Sequence, residues 1–327
     1  MSTSNILQSS LSSKAVKAAL FQAMETIVMP PWVDQICYHH DDSTEMEETY
    51  DDFSKPKGLT DVTGDDRDIQ GYKSLKVKCR NRRLGTEAIV RVLEQRFDRR
   101  SHLDRWVARF KERAQETTPR LVAKLIENGA GSIAYKGAGT TYDDANFFGN
   151  GHRGGQNNIV QVAAAGVGNI PSTAEMELAI TQARARMLSF TDDGGGLSNA
   201  DANSFALLVP TQLEGLALAA IKLQRILDGG ASRDNLLAVR SDLNITPYRV
   251  PFLDTPWGAA GNPKCLLVRT DTVDKPFFRQ TMIPMLIESI GEGSEQAKRH
   301  WKHSYFIDTV IGEGYGFWET AVQIEFT

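Results

Sequence analysis

Cysteine is scarce in this 327-residue chain: only Cys37, Cys79 and Cys265 occur, odd in number and far apart. No CxxC pair exists, which excludes a zinc finger or a disulfide framework and fits a reducing compartment. A basic excess is also missing. The formal net charge is −4, whereas a chain built to neutralise nucleic-acid phosphates needs a surplus of lysine and arginine. Contact with DNA is therefore expected to be weak and non-specific. No run approaches the roughly 20 apolar residues that cross a bilayer, so no membrane partner is expected. The start, Met1-Ser-Thr-Ser-Asn-Ile-Leu-Gln8, lacks the basic flank and apolar stretch of a secretory signal. Catalytic signatures are equally absent. There is no GxxxxGK[ST] loop, Rossmann fingerprint, GxSxG elbow or HExxH, and no serine or cysteine in a setting that activates a nucleophile.

The rest is ordinary globular material, 41% hydrophobic and 24% charged, long enough for one large domain or two. Ser13–Met29 reads as an amphipathic helix, with Val16, Ala19, Leu20, Ala23 and Ile27 at helical spacing and Pro30-Pro31 as its stop. It is too short to fold alone and reads as an arm lying on another surface. From Asp41 to Asp68, eleven acidic residues face only Lys55, Lys57 and Arg67. The sign then flips. Lys73, Lys76, Lys78, Arg80, Arg82 and Arg83 lie in what reads as two strands around Asn81, with Leu75 and Val77 alternating against the lysines. Each block alone could be plain solvated surface. Together they make an extended hairpin that cannot bury a core of its own, for which a neighbouring subunit of opposite sign is a candidate support.

Asp98–Asn128 is the most regular helical stretch, with Leu103, Trp106, Val107, Phe110 and Ala114 on one face. At Thr118-Pro119 it either restarts, capped by Thr118, or continues kinked; a long spine results either way. A glycine-rich segment covers Gly129–Gly155. Ser172-Thr-Ala-Glu175 is a capping box opening a helix through Met187. Phe205–Val209 reads as a buried strand, and Pro210 opens a helix closed by Asp228-Gly-Gly. Short apolar runs broken by Pro and Gly predict strands up to Asp274. Phe317–Phe326 alternates as a strand, preceded by Tyr305–Ile311 across a Gly312-Glu-Gly turn, which predicts a hairpin. The sum is α+β.

Two clusters invite a chemical reading. His39-His40-Asp41-Asp42 offers metal-ligand types, but adjacent histidines rarely reach one ion and no further ligand follows at the right spacing. A polar loop is the competing reading. Tyr142-Asp143-Asp144 with His152 close behind could be a general base and its orienter, or a turn held by aspartate–amide hydrogen bonds. No catalytic residue, cofactor or metal is assigned from either.

The glycine-rich loop carries a resemblance. Tyr142-Asp143-Asp144-Ala-Asn-Phe147-Phe148-Gly-Asn-Gly-His152 resembles the Tyr-Asp-Gly-x-x-Phe-Phe-x-x-x-His pattern of Mu-like bacteriophage major head proteins, with Asp144 in place of glycine. Four further elements follow the family's order. A helix with the internal Pro119 closes at Gly129; Leu207-Leu-Val-Pro210 leads into an Ala/Leu-rich helix. Lys275-Pro276-Phe-Phe-Arg-Gln280 comes next, and the chain ends in Gly314-Tyr315-Gly-Phe-Trp318 and its strand. The family's tryptophan-rich extended loop, with its Arg-Glu-Trp element, has no counterpart in Asp51–Leu84.

This resemblance implies the tailed-phage major capsid fold. Its parts would be an N-terminal arm (1–36), an extended loop (37–92), a peripheral domain with the spine helix (93–157 and 281–327) and an axial domain (158–280). It implies an icosahedral shell subunit around packaged double-stranded DNA, assembled in the host bacterial cytoplasm and ending in the virion. Partners would be copies of itself in hexamers and pentamers, with scaffold, portal and decoration proteins. No long charged segment precedes the arm, so a fused scaffolding segment is not expected. Competing readings are an encapsulin nanocompartment of the same fold, a metal-dependent enzyme using His39, His40 or His152, and a tail or neck protein.

Overall fold

The computed structural model describes residues 27–51, 75–91, 102–131, 141–192, 195–228, 230–258, 262–290 and 294–327, with a few residues between 18 and 25. The acidic stretch beyond Asp51, Lys73 and most of the expected arm lie outside the described residues. In chain order the strands are β1 (Cys37–His40), β2 (Glu47–Tyr50), β3 (Val77–Arg80), β4 (Arg82–Arg91), β5 (Ile159–Val162), β6 (Ser204–Val209), β7 (Arg225–Asp228), β8 (Ala231–Asp234), β9 (Asn244–Arg249), β10 (Lys264–Arg269), β11 (Phe277–Ile290), β12 (Lys302–Tyr315) and β13 (Ala321–Phe326). The longer helices are α1 (His102–Gln115), α2 (Thr117–Glu127), α3 (Thr173–Leu188) and α4 (Glu214–Lys222). Two sheets organise these strands, one in the order β1-β11-β12-β4 and one in the order β5-β13-β10-β6-β9. β2–β3 and β7–β8 form separate two-stranded ribbons.

The five-stranded sheet is built from continuous apolar runs rather than alternating ones. Phe205-Ala-Leu-Leu-Val209 and Cys265-Leu-Leu-Val268 are buried at every position, the pattern of a sheet covered on both faces. One cover is α3, started by the expected capping box: the Ser172 hydroxyl accepts from the Glu175 amide at 3.3 Å and the Glu175 carboxylate from the Ser172 amide at 2.7 Å. Met176, Ile180, Ala183 and Met187 give it a buried face. The edge strand β9 carries Pro247, a residue that cannot donate to a further ladder.

The spine is a kinked helix. The Glu116 amide still bonds to the Glu112 carbonyl at 3.1 Å and the Arg120 amide to the Glu116 carbonyl at 3.0 Å. Thr118 is not a cap; Pro119 is the third residue of α2, and its ring opens the ladder at the carbonyl four residues back, Gln115. α1 packs on the four-stranded sheet through Val107, over Ala88, Val90, Ile287, Tyr305 and Ile307, and Leu20 of the arm is fully buried in the same cluster.

Several local expectations are corrected. No hairpin turns at Asn81: β3 pairs with β2, whereas β4 pairs with β12, so the chain changes sheets there. Lys78 pairs with Glu47 at 3.3 Å, so part of the charge complementarity is satisfied within the chain. Gly312-Glu-Gly314 is no turn but the middle and end of β12. A Cβ at Gly314 would lie 2.2 Å from the Phe278 ring, so these glycines serve close packing. β13 joins the other sheet, and Trp318–Thr320 forms a 3-10 turn instead of extending it. Asp228-Gly-Gly sits at the β7–β8 turn rather than at the end of α4, and His39-His40 lie in β1 rather than in a loop.

Candidate functional site

The 141–158 loop folds around a buried carboxylate. Asp143 accepts from the Thr141 hydroxyl, from the Ala145 amide at 3.4 Å and from the Arg153 amide at 3.2 Å, and meets His152 Nδ1 at 3.0 Å. Burial works to raise this carboxyl, but the hydrogen bonds from His152 and Thr141 outweigh it and hold it at about 2. The other ring nitrogen of His152 faces the Phe147 carbonyl at 3.1 Å. The ring therefore has an oxygen facing each nitrogen. It stacks on Trp318 at 4.0 Å between centroids.

A second carboxylate closes the cluster from the other end of the chain. Glu319, 1% exposed, accepts from the Tyr142 hydroxyl and lies 3.9 Å from the Arg153 guanidinium. Burial, with Glu319 beside it, raises the Tyr142 phenol far above the usual range. Asn199 donates to the carbonyls of Met187 and Glu319 at 3.0 and 2.8 Å, tying the end of α3 to the same turn. Phe147 stacks on Tyr315 at 5.1 Å, and the Tyr315 hydroxyl donates to the Leu125 carbonyl of the spine at 2.9 Å.

Seven sequence-predicted residues thus converge: Tyr142, Asp143, Phe147, Phe148, His152, Tyr315 and Trp318. Lys275 and Pro276 flank them, their carbonyls accepting from the Phe317 and Gly316 amides at 3.0 and 2.8 Å. Pro119 and Pro210 stand apart, at the spine kink and the end of β6. Gln280, fully buried, belongs to another junction. It accepts from the Tyr50 hydroxyl at 2.6 Å and donates to the Cys79 carbonyl at 3.4 Å, holding both strands of the β2–β3 ribbon to β11. Asn81 fixes the ribbon's root, its side chain donating to the Ser43 hydroxyl at 2.6 Å and the Glu45 carbonyl at 2.7 Å. Sequence reasoning missed Asn81, Tyr50, Arg153, Asn199 and Glu319.

The geometry suits a staple rather than catalysis. The His152 side chain is 0% exposed and that of Asp143 7%, so the pair is enclosed. The amides of Ala145 and Arg153 donate to Asp143 as in the turn reading, with the histidine as its buried partner. At the other cluster, His39 lies 3.2 Å from Asp34 and His40 3.5 Å from Glu48. Neighbours on a strand point to opposite faces, so they do not share a ligand position. Among the described residues, no three histidine, cysteine or carboxylate side chains are placed to hold one metal ion, and no helix is long and apolar enough to cross a membrane.

No family model matches the chain, and a search of curated proteins finds no match. Solved structures do. The capsid of cyanophage P-SCSP1u superposes with a TM-score of 0.57 at 9% identity, covering 88% of this chain and 85% of that one. The capsid of Myoviridae phage XM1 gives 0.53 at 11% identity, over 92% of both chains. The mature capsid of bacteriophage PhiM1 gives 0.53 at 11%, over 89% and 84%. The chain has the tailed-phage major capsid fold. The α+β expectation holds, and the buried cluster is a junction within that fold where the spine, the glycine-rich loop and the C-terminal turn meet.

Proposed function

We propose that this chain is a Mu-like major capsid protein that self-assembles into the icosahedral head shell of a tailed bacteriophage, around packaged double-stranded DNA. The supporting observation is the extent of the fold match, which runs over 92% of both chains with the phage XM1 capsid and leaves little of either outside it. The subunit works by geometry and catalyses nothing. Residues 1–36 are the arm, 37–92 the extended loop, 93–157 with 281–327 the peripheral domain and 158–280 the axial domain, with β13 crossing over to complete the axial sheet. Exposed Leu227, Leu236 and Val239, at 71%, 65% and 67%, give the axial region apolar surface for neighbours. Copies of the chain form hexamers and pentamers in the host bacterial cytoplasm with scaffold, portal and decoration proteins, and contact DNA weakly.

Negative-stain electron microscopy of the purified chain, alone and co-expressed with its genomic neighbours, tests this. Closed shells, tubes or hexamer rings are expected. A compact monomer in every condition would overturn the proposal, and shells that co-purify with an enclosed enzyme would redirect it to a nanocompartment.

A further inference from the structure

Among the described residues, the four-stranded sheet beyond residue 284 is covered on one side only. Strand pairing sets its rows. Glu87, Phe306 and Glu288 form one, Ile89, Ser304 and Ile290 the next, and Arg91 with Lys302 the last. Residues paired across a sheet share a face, and faces alternate along each strand. The intervening Ala88, Val90, Tyr305 and Ile307 point into the small core under α1. The three rows point the other way: Ile89 is 53% exposed and Ile290 40%, and Glu87, Glu288 and Arg91 are exposed. Among the described residues Glu87 and Arg91 take part in no ion pair, although Arg82 and Arg83, earlier on the same strand, are paired with Glu313 and Asp308.

A row with an exposed isoleucine at each end and the buried Ser304 between them, with an acidic row on one side and a basic row on the other, is complementary to itself. Turn the face over about a two-fold axis lying along the isoleucine row. Glu87 then meets Arg91 of a second copy, Phe306 meets Lys302, and each isoleucine meets its own equivalent. Such a contact is isologous, so each charge pair forms twice, and it has the apolar centre and charged margin of a protein interface. We propose that this face joins two copies of the chain in that way. The contact deepens the shell reading and rests on it for its place in an assembly.

The test uses the full chain and three variants: Glu87→Arg, Arg91→Glu and the double swap. Each single change replaces two attractive pairs with two repulsive ones and is expected to weaken self-association about tenfold by sedimentation. The double swap restores it. Circular dichroism stays unchanged throughout, since both side chains are exposed. In addition, Ile89→Cys in the full chain is expected to give a covalent dimer with a short bismaleimide, because Cys37, Cys79 and Cys265 are all buried. Wild-type assembly in both single variants, with no such dimer, overturns this contact and leaves the shell reading standing. A wild-type chain that never assembles overturns the shell reading; the Ile89→Cys cross-link at high protein concentration then decides the contact alone, dimer upholding it and monomer overturning it.

Discussion

The two sheets treat their polar groups in opposite ways. Around the five-stranded sheet, Asp143, His152, Asn199 and Glu319 are enclosed and paired with other parts of the same chain. At the far end of the four-stranded sheet the buried cluster amounts, among the described residues, to seven, one of them from the arm, and the opposite face carries its charges in open rows. A buried polar group without a partner costs far more than an exposed one. The first region therefore has one acceptable arrangement, which fixes the subunit. The second tolerates many arrangements in isolation, and its charge pattern gains meaning only against another surface.

Breaking the comparison starts with its largest expected effect. Asp143→Ala strands the fully enclosed His152 and is expected to cost about 3–5 kcal/mol in denaturant unfolding. The matching truncation outside, Ile89→Ala, should stay within about 0.5 kcal/mol for the monomer. Similar losses at both sites would erase the distinction. The same carboxyl sets an acid limit. Held at about 2 against an ordinary value near 4, Asp143 stabilises the fold fully above about pH 4. That contribution disappears as pH falls through about 2, and Asp143→Asn should flatten this part of a Tm-against-pH curve. Next comes Gly314→Ala, whose added methyl would sit 2.2 Å from the Phe278 ring; overpacking of this kind costs about 3 kcal/mol, and an unchanged denaturation midpoint would show that the ring moves freely. Gln280→Leu removes a hydrogen bond from the Cys79 carbonyl and leaves the Tyr50 hydroxyl only Glu48, at 3.3 Å, as acceptor, for about 1 kcal/mol. Hydrogen exchange should quicken in β2 and β3 while α3 stays protected; uniform loosening would mean that Gln280 holds the whole subunit rather than the ribbon.

Local signals were legible in the sequence, and distant ones were not. The Ser172–Glu175 capping box, the apolar runs of β6 and β10 and the spine with its proline all depend on neighbours within a few residues. Asp143 and His152 lie nine residues apart and could be paired on sight. Glu319 could not, because its partner Tyr142 is 177 residues away; in the alternating reading of Phe317–Phe326 it looked like an outward-facing charge. Gly312 and Gly314 looked like a turn for the same reason. Glycine marks both a change of direction and a place where another side chain must come close, and only the Phe278 ring on β11 shows which applies.

Asp144 gives the smallest and most discriminating prediction. It holds a φ of +61°, and its amide bonds to the Thr141 carbonyl at 3.0 Å, closing the turn that carries Asp143. The resembling head proteins have glycine at this position, and the backbone explains both choices: the left-handed region is free to glycine and open to aspartate, whose short polar side chain suits local bonds. Asp144→Gly relieves a small strain but gives the unfolded chain more freedom to lose. The two terms nearly cancel, so unfolding should move by no more than about 0.5 kcal/mol. Asp144→Val keeps the unfolded chain stiff and puts a branched side chain where it clashes, for about 1–2 kcal/mol. Because the turn also orders the Asp143 hydrogen bonds, Asp144→Val should weaken the acid dependence as well as the midpoint, whereas Asp144→Gly should leave it intact. A valine variant that kept the full acid dependence would separate turn geometry from carboxylate pairing and confine the staple to the side chains themselves.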